Sequence, residues 1–213
     1  MFTKYFRKLL YLILAIGFSS SQAGSYEDFF IAIRNDNAGA VTDLLRRGFD
    51  LNSRDGKGQP GLTVAMQEQS LKAARALLAQ PALDVDALNQ AGESALMMAA
   101  LKGNLAGLNL LLARGARISQ PGWSAIHYAA TGPEPQVVTL LIDRGADVNA
   151  MSPNGTTPLM MAAQYGAEDS VKILLARGAD ARARNQLDLR AADFARQGGR
   201  EPLARTLEQA ARQ

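Results

Sequence analysis

Apolar residues recur along this chain at two periods, a helical one within short segments and a longer one between them. The stretch Thr157 to Asp180 shows the short period. Thr157 suits an N-cap, because its hydroxyl can accept a free backbone N–H, and Pro158 suits the first helical position. Leu159, Ala162 and Ala163 then fall on one face of a short helix, and Gly166 permits the turn out of it. A second short helix carries Val171, Leu174 and Leu175 inward and leaves Lys172 and Arg177 in water. Gly178 follows where a left-handed residue is usual. Neither helix is long enough to be stable alone, and one helical hairpin cannot cover its own apolar face. The pattern predicts copies on either side.

The copies are present. Aligned on the threonine position, equivalent units start near Glu27, Pro60, Ser94, Ser124, Thr157 and Arg190, with spacings of 33, 34, 30, 33 and 33. Five places on stands Ala32, Ala65, Ala99, Ala129, Ala162 or Ala195. Aliphatic pairs close the second helices: Leu44-Leu45, Leu77-Leu78, Leu111-Leu112, Leu140-Leu141 and Leu174-Leu175. The exits read Arg114-Gly115-Ala116, Arg144-Gly145-Ala146-Asp147 and Arg177-Gly178-Ala179-Asp180.

On these residues the chain resembles the ankyrin-repeat family, whose unit of about 33 residues is a β-turn plus two antiparallel helices. The resemblance covers nearly all of residues 25–213. It implies an all-α solenoid of about six helix-turn-helix units with projecting β-turn loops, over residues 24–213. The family's Thr-Pro-Leu-His start survives only in pieces, as Ser124-Ala125-Ile126-His127 and Thr157-Pro158-Leu159-Met160. The unit at Pro60 has Gln80-Pro81-Ala82-Leu83-Asp84 in place of the usual exit. The unit at Ser94 is three residues short, and the loss falls in Arg117 to Gly122, one of the projecting turns. Ser25 is placed to cap the first helix, whose opening turn holds Glu27 and Asp28. The last segment, Glu201 to Gln213, reads as a cap with a polar outer face.

Residues 1–23 stand apart from the repeats. Lys4, Arg7 and Lys8 precede an apolar run from Leu9 to Phe18, and Ser21-Gln22-Ala23 offers small residues before Gly24. This is the make-up of a secretory signal peptide cut after Ala23, too short for an ordinary membrane span. An uncleaved anchor is the alternative, and the absence of cysteine excludes a lipoprotein. The expectation is a periplasmic or secreted protein with no stable membrane anchor once the signal is removed. The whole chain carries 23 basic and 20 acidic residues. Three of the basic ones lie in the signal segment, so the remainder balances and gives no support for nucleic-acid binding. The arginines near Arg177, Arg182, Arg184 and Arg190 read as a solvated repeat end. Export with no cysteine fits an oxidising compartment and rules out disulfides and Cys-based metal sites.

Catalytic constellations are missing. His127 is the sole histidine, and the resemblance implies a structural hydrogen-bonding role for it. No Gly-x-Ser-x-Gly elbow or phosphate-binding glycine loop is present, and zinc ligation lacks partners. Asp84, Asp86, Asp147 and Asp180 lie at exits, where carboxylates bond to nearby backbone. Met97, Met98, Met160 and Met161 read as core. The chain is expected to be no enzyme and to need no cofactor or metal.

Binding remains. The resemblance implies a concave groove that contacts a partner protein through turn tips and late first-helix positions. Those positions are Lys57, Gln59, Gln67, Glu68, Gln90, Glu93, Leu101, Lys102, Trp123, Thr131, Asn154, Thr156, Gln164 and Tyr165. Trp123, the single tryptophan, lies beside the shortened loop, with Leu101 and Tyr165 mapped to the same face. It is either a central binding anchor or a ring folded over to fill the space of the missing residues. The functional expectation is a monomeric, periplasmic protein-interaction module. An immunity-type inhibitor of a secreted toxin is the alternative.

Overall fold

The computed structural model describes residues 24–212; the signal-peptide reading of residues 1–23 lies outside them. Twelve helices and no strand are found among the described residues, in six antiparallel pairs. The first pair is α1 (24–34) and α2 (Ala38–Arg46). Next come α3 (Gly61–Gln67) with α4 (Leu71–Leu78), and α5 (Ala95–Leu101) with α6 (Leu105–Ala113). Then follow α7 (Ala125–Thr131) with α8 (Pro135–Asp143), α9 (Pro158–Tyr165) with α10 (Glu168–Ala176), and α11 (Ala191–Gln197) with α12 (Glu201–Ala210). None is long and apolar enough to cross a membrane.

The odd-numbered helices stack into an inner layer, α3 on α5, α5 on α7, α7 on α9 and α9 on α11. Small residues make this possible. Ala65, Ala99, Ala129, Ala162 and Ala195 are each 0% exposed, so inner helices meet with nothing larger than a methyl between them. Gly166 goes further: a Cβ there would lie 2.0 Å from the Ala130 carbonyl oxygen, so α9 ends directly on α7. The exit glycines Gly48, Gly115, Gly145 and Gly178 all have positive φ, between 84° and 94°. Glycine avoids the Cβ clash that this region imposes on other residues.

The N-caps of the later inner helices are Pro60, Ser94, Ser124, Thr157 and Arg190. Helix α1 differs from expectation. Its described part spans residues 24–34, so Ser25 lies inside it rather than at a cap preceding it. Phe29, Phe30 and Phe49 fill the space beneath this first unit, with ring centroids 4.5 to 5.4 Å apart. At the other end, Arg200 Nη1 donates to the carbonyls of Ala162, Ala163 and Gly166 and ties the last unit to α9.

Between units the chain closes a five-residue finger four times. The backbone N–H of Asp55, Asn89, Ser152 and Asn185 donates to the carbonyl of Gln59, Glu93, Thr156 and Leu189 respectively. The first residue of each finger also accepts from amides within it, as Asp55 Oδ1 does from Lys57 and Gln59. The fifth finger is absent where the sequence is short. Over residues 118–122, Gln120 Nε2 instead donates to the carbonyls of Gly92 and Trp123.

Two other ties weaken at the same junction. Asn52, Asp86 and Asn149 each accept from an amide of the following exit, those of Asp84, Arg117 and Asp180. Ser119 occupies the equivalent place and makes no such bond among the described residues. In the outer layer α2, α4 and α6 pack in series and α8 packs on α10, without comparable packing of α6 on α8 or of α10 on α12. The third and fourth units are therefore joined chiefly through α5 and α7.

Candidate interaction groove

Side chains late in each inner helix face the groove. Leu101, Thr131 and Gln164 each stand seven residues after their N-cap, and Met98, Tyr128 and Met161 stand four after it. The two sets share a face because residues three apart on a helix are neighbours. At the missing finger this face opens into a depression of about 220 Å³, lined by Leu101, Trp123, His127, Tyr128, Thr131 and Met161.

The floor is rigidly hydrogen-bonded. His127 Nδ1 accepts from the Ser124 backbone N–H at 3.3 Å and lies 3.0 Å from Ser124 Oγ. Its Nε2 is 3.1 Å from the carbonyls of both Ala150 and Thr156, so that nitrogen carries the proton and donates. Burial holds the imidazole below the usual histidine range, against the opposing pull of these bonds and of Asp147. The Trp123 ring meets His127 edge to face, with centroids 5.2 Å apart. Trp123 remains half-buried. It is thus a wall of the depression, packed on one side and open on the other, between the two roles expected of it.

Tyr128 donates its hydroxyl proton to Glu93 Oε1 at 2.9 Å, and Asn89 Nδ2 donates to Glu93 Oε2 at 2.8 Å. Burial and the adjacent carboxylate push the Tyr128 phenol above its ordinary range. Glu93 is therefore a strut between units as well as a groove residue.

Of the other expected contact residues, Lys57, Glu68, Gln90, Lys102 and Asn154 are exposed, while Gln59, Gln67 and Gln164 are half-buried. Thr156 departs from the expectation. It is only 2% exposed, because its backbone closes a finger and receives His127, which turns its side chain out of a partner's reach. Tyr165 is 61% exposed on the same side but does not line the depression. The aromatic neighbour of Trp123 there is Tyr128, and Met161 joins the lining while still packing against the core. Tyr128 and Met161 were legible through their spacing of three before Thr131 and Gln164.

Of Arg177, Arg182, Arg184 and Arg190 near the C-terminal end, Arg190 has its Nε buried without a partner among the described residues and the other three are ion-paired. Arg177 meets Asp143, Arg182 meets Asp180 and Arg184 meets Asp188, at 2.6 to 3.4 Å. Among the described residues no group of three or more His, Cys, Asp or Glu side chains could hold a metal ion.

The family model for ankyrin repeats (three copies) matches the chain twice, over residues 29–121 and 117–185. Protein glp-1 of Caenorhabditis elegans is 28% identical over 197 residues, covering 85% of this chain and 15% of that protein. The nuclear factor NF-kappa-B p105 subunit of Gallus gallus is 32% identical over 162 residues, 73% of this chain and 16% of its own length. Human neurogenic locus notch homolog protein 4 is 37% identical over 110 residues, 47% of this chain and 6% of that protein. The chain spans less than a fifth of the length of each.

Proposed function

This chain belongs to the ankyrin-repeat family, and from that we propose that it is a non-enzymatic interaction module of an exported compartment. It binds another protein along the concave groove, through the finger tips and the exposed ends of the inner helices. The observation that carries this reading is the open apolar depression around Trp123 at the centre of the groove. Interfaces concentrate their binding energy in such central aromatic anchors, ringed by polar residues that exclude water. Lys102, Gln164 and Asn154 supply a polar surround. The positive start, apolar run and small-residue site of residues 1–23 support export.

Two measurements test it together. Mass spectrometry of the exported form should find Gly24 at its N-terminus, and an intact Met1 would contradict export. The mature chain, immobilised and exposed to periplasmic extract, should retain a protein that Lys102→Glu and Gln164→Ala release. Lys172→Glu and Arg205→Glu, on the outer helices, should leave retention unchanged. Release by the outer pair alone would place binding away from the groove.

A further inference from the structure

The depression at the missing finger has a chemistry distinct from the rest of the groove. Its volume of about 220 Å³ exceeds the roughly 150 Å³ cavity that takes up benzene. One leucine, methionine or phenylalanine side chain would fit. Leu101, Trp123 and Met161 present mostly hydrocarbon, and none of the six lining side chains is charged at neutral pH. His127 is uncharged because Nδ1 is committed as an acceptor from Ser124. Tyr128 keeps its proton, shared with Glu93.

The nearest carboxylate, Glu93, does not line the depression, and both its oxygens are hydrogen-bonded, by Tyr128 and Asn89. Thr131 Oγ1 donates back to the His127 carbonyl at 2.9 Å, which leaves its methyl to the depression. A cation or anion entering here would lose its water against a lining with no charged side chain, an unfavourable exchange. Access is through the place of the absent finger, where Gln120 holds residues 118–122 to Gly92 and Trp123. The four closed fingers elsewhere fence the groove, so an element reaching this floor must protrude from its own surface.

We propose that the depression receives a single uncharged, apolar side chain of leucine to phenylalanine size, borne on a protruding loop of the bound protein. This rests on the protein-binding reading above and names what enters the centre of that site. The chain has one tryptophan, so the Trp123 indole N–H gives a unique resonance in a nitrogen-15 correlation spectrum. The probes are N-acetyl-leucinamide, N-acetyl-phenylalaninamide, N-acetyl-lysinamide and N-acetyl-glutamamide.

The two apolar amides should shift the indole resonance saturably, with millimolar dissociation constants as fits fragments of about a dozen atoms. The charged or polar pair should bind at least about tenfold more weakly. Leu101→Asp should abolish the apolar response, with Thr131→Glu as a second variant should the first fail to fold. Equal shifts from all four probes, or none from the apolar pair at about 20 mM, would overturn the proposal. Persistence of the apolar response in both folded variants would overturn it too. The two readings fail separately. Release of the partner by groove variants with a silent indole rejects only this one. An indole that responds while retention ignores the groove rejects only the protein-binding reading.

Discussion

His127 Nε2 donates to the Thr156 carbonyl at 3.1 Å and so ties the fourth unit to the base of the next finger. The partner bond, from the Ser124 N–H to Nδ1, needs a neutral ring. Burial lowers the folded pKa, while the unfolded chain titrates near the ordinary imidazole value of about 6.5. Just below that pH the unfolded state binds more protons, so the contribution is complete above about 6.5 and is lost as pH falls toward the folded pKa. His127→Met copies the residue that the chain itself uses at Met97 and Met160, whose sulfurs accept from Ser94 and Thr157. It leaves the Ala150 and Thr156 carbonyls short of a donor and should cost about 1–3 kcal/mol at pH 7.5. Urea unfolding at pH 7.5 and 5.5 should show wild type losing more of its stability than the variant. Parallel losses would mean that His127 does not titrate in this window.

Thr63 occupies the corresponding place in α3, but its N-cap is Pro60, which has no N–H to give. The Thr63 hydroxyl is buried without a partner among the described residues. Thr63→Val keeps the shape and removes the stranded group, so stability should rise by up to about 1 kcal/mol. A loss of that size on chemical denaturation would reveal a bond to the hydroxyl.

Two glycines should respond for different reasons. At Gly145 φ is +94° with nothing within 4 Å of a Cβ, so Gly145→Ala meets backbone strain alone, about 1–2 kcal/mol. At Gly166 a Cβ would strike the Ala130 carbonyl at 2.0 Å, and relief requires α7 and α9 to separate. Gly166→Ala should cost more than Gly145→Ala, and at least the roughly 1–3 kcal/mol of overpacking. Thermal melts rank them; the reverse order would contradict the close approach of α9 to α7.

The six-unit architecture was legible because each helix signals locally. The serine or threonine N-caps at Ser94, Ser124 and Thr157, the alanine five places on and the exit glycines all act within one unit. The seam between the third and fourth units was legible only as three missing residues. That Gln120 bridges the gap, that Ser119 drops a tie and that α6 stands away from α8 depend on how neighbours settle around the deletion. Thr156 misled because its solvent-facing register is overridden by His127 from the unit before. Tyr128 and Met161 escaped notice because a helix face facing a groove and one facing a core carry the same period.

The same seam should divide the stack dynamically. Repeat arrays gain stability from neighbour interfaces, and this interface alone among the described residues lacks the closed finger, while its outer helices α6 and α8 also lack the packing seen for α2 on α4, α4 on α6 and α8 on α10. Native-state hydrogen exchange should give two opening free energies, one shared by α1–α6 and another by α7–α12. A single value across all twelve helices would show that α5 against α7 suffices to make the junction as strong as the rest.

If the groove around Trp123 binds the partner, Trp123→Ala should separate affinity from melting. With one side of the ring on His127 and the other open, the variant should lose about 2 kcal/mol or more in binding. Its stability should fall by no more than about 1–2 kcal/mol, well short of the roughly 3–5 that follow loss of a fully buried ring. Unchanged affinity, whatever the melting midpoint, would contradict the claim.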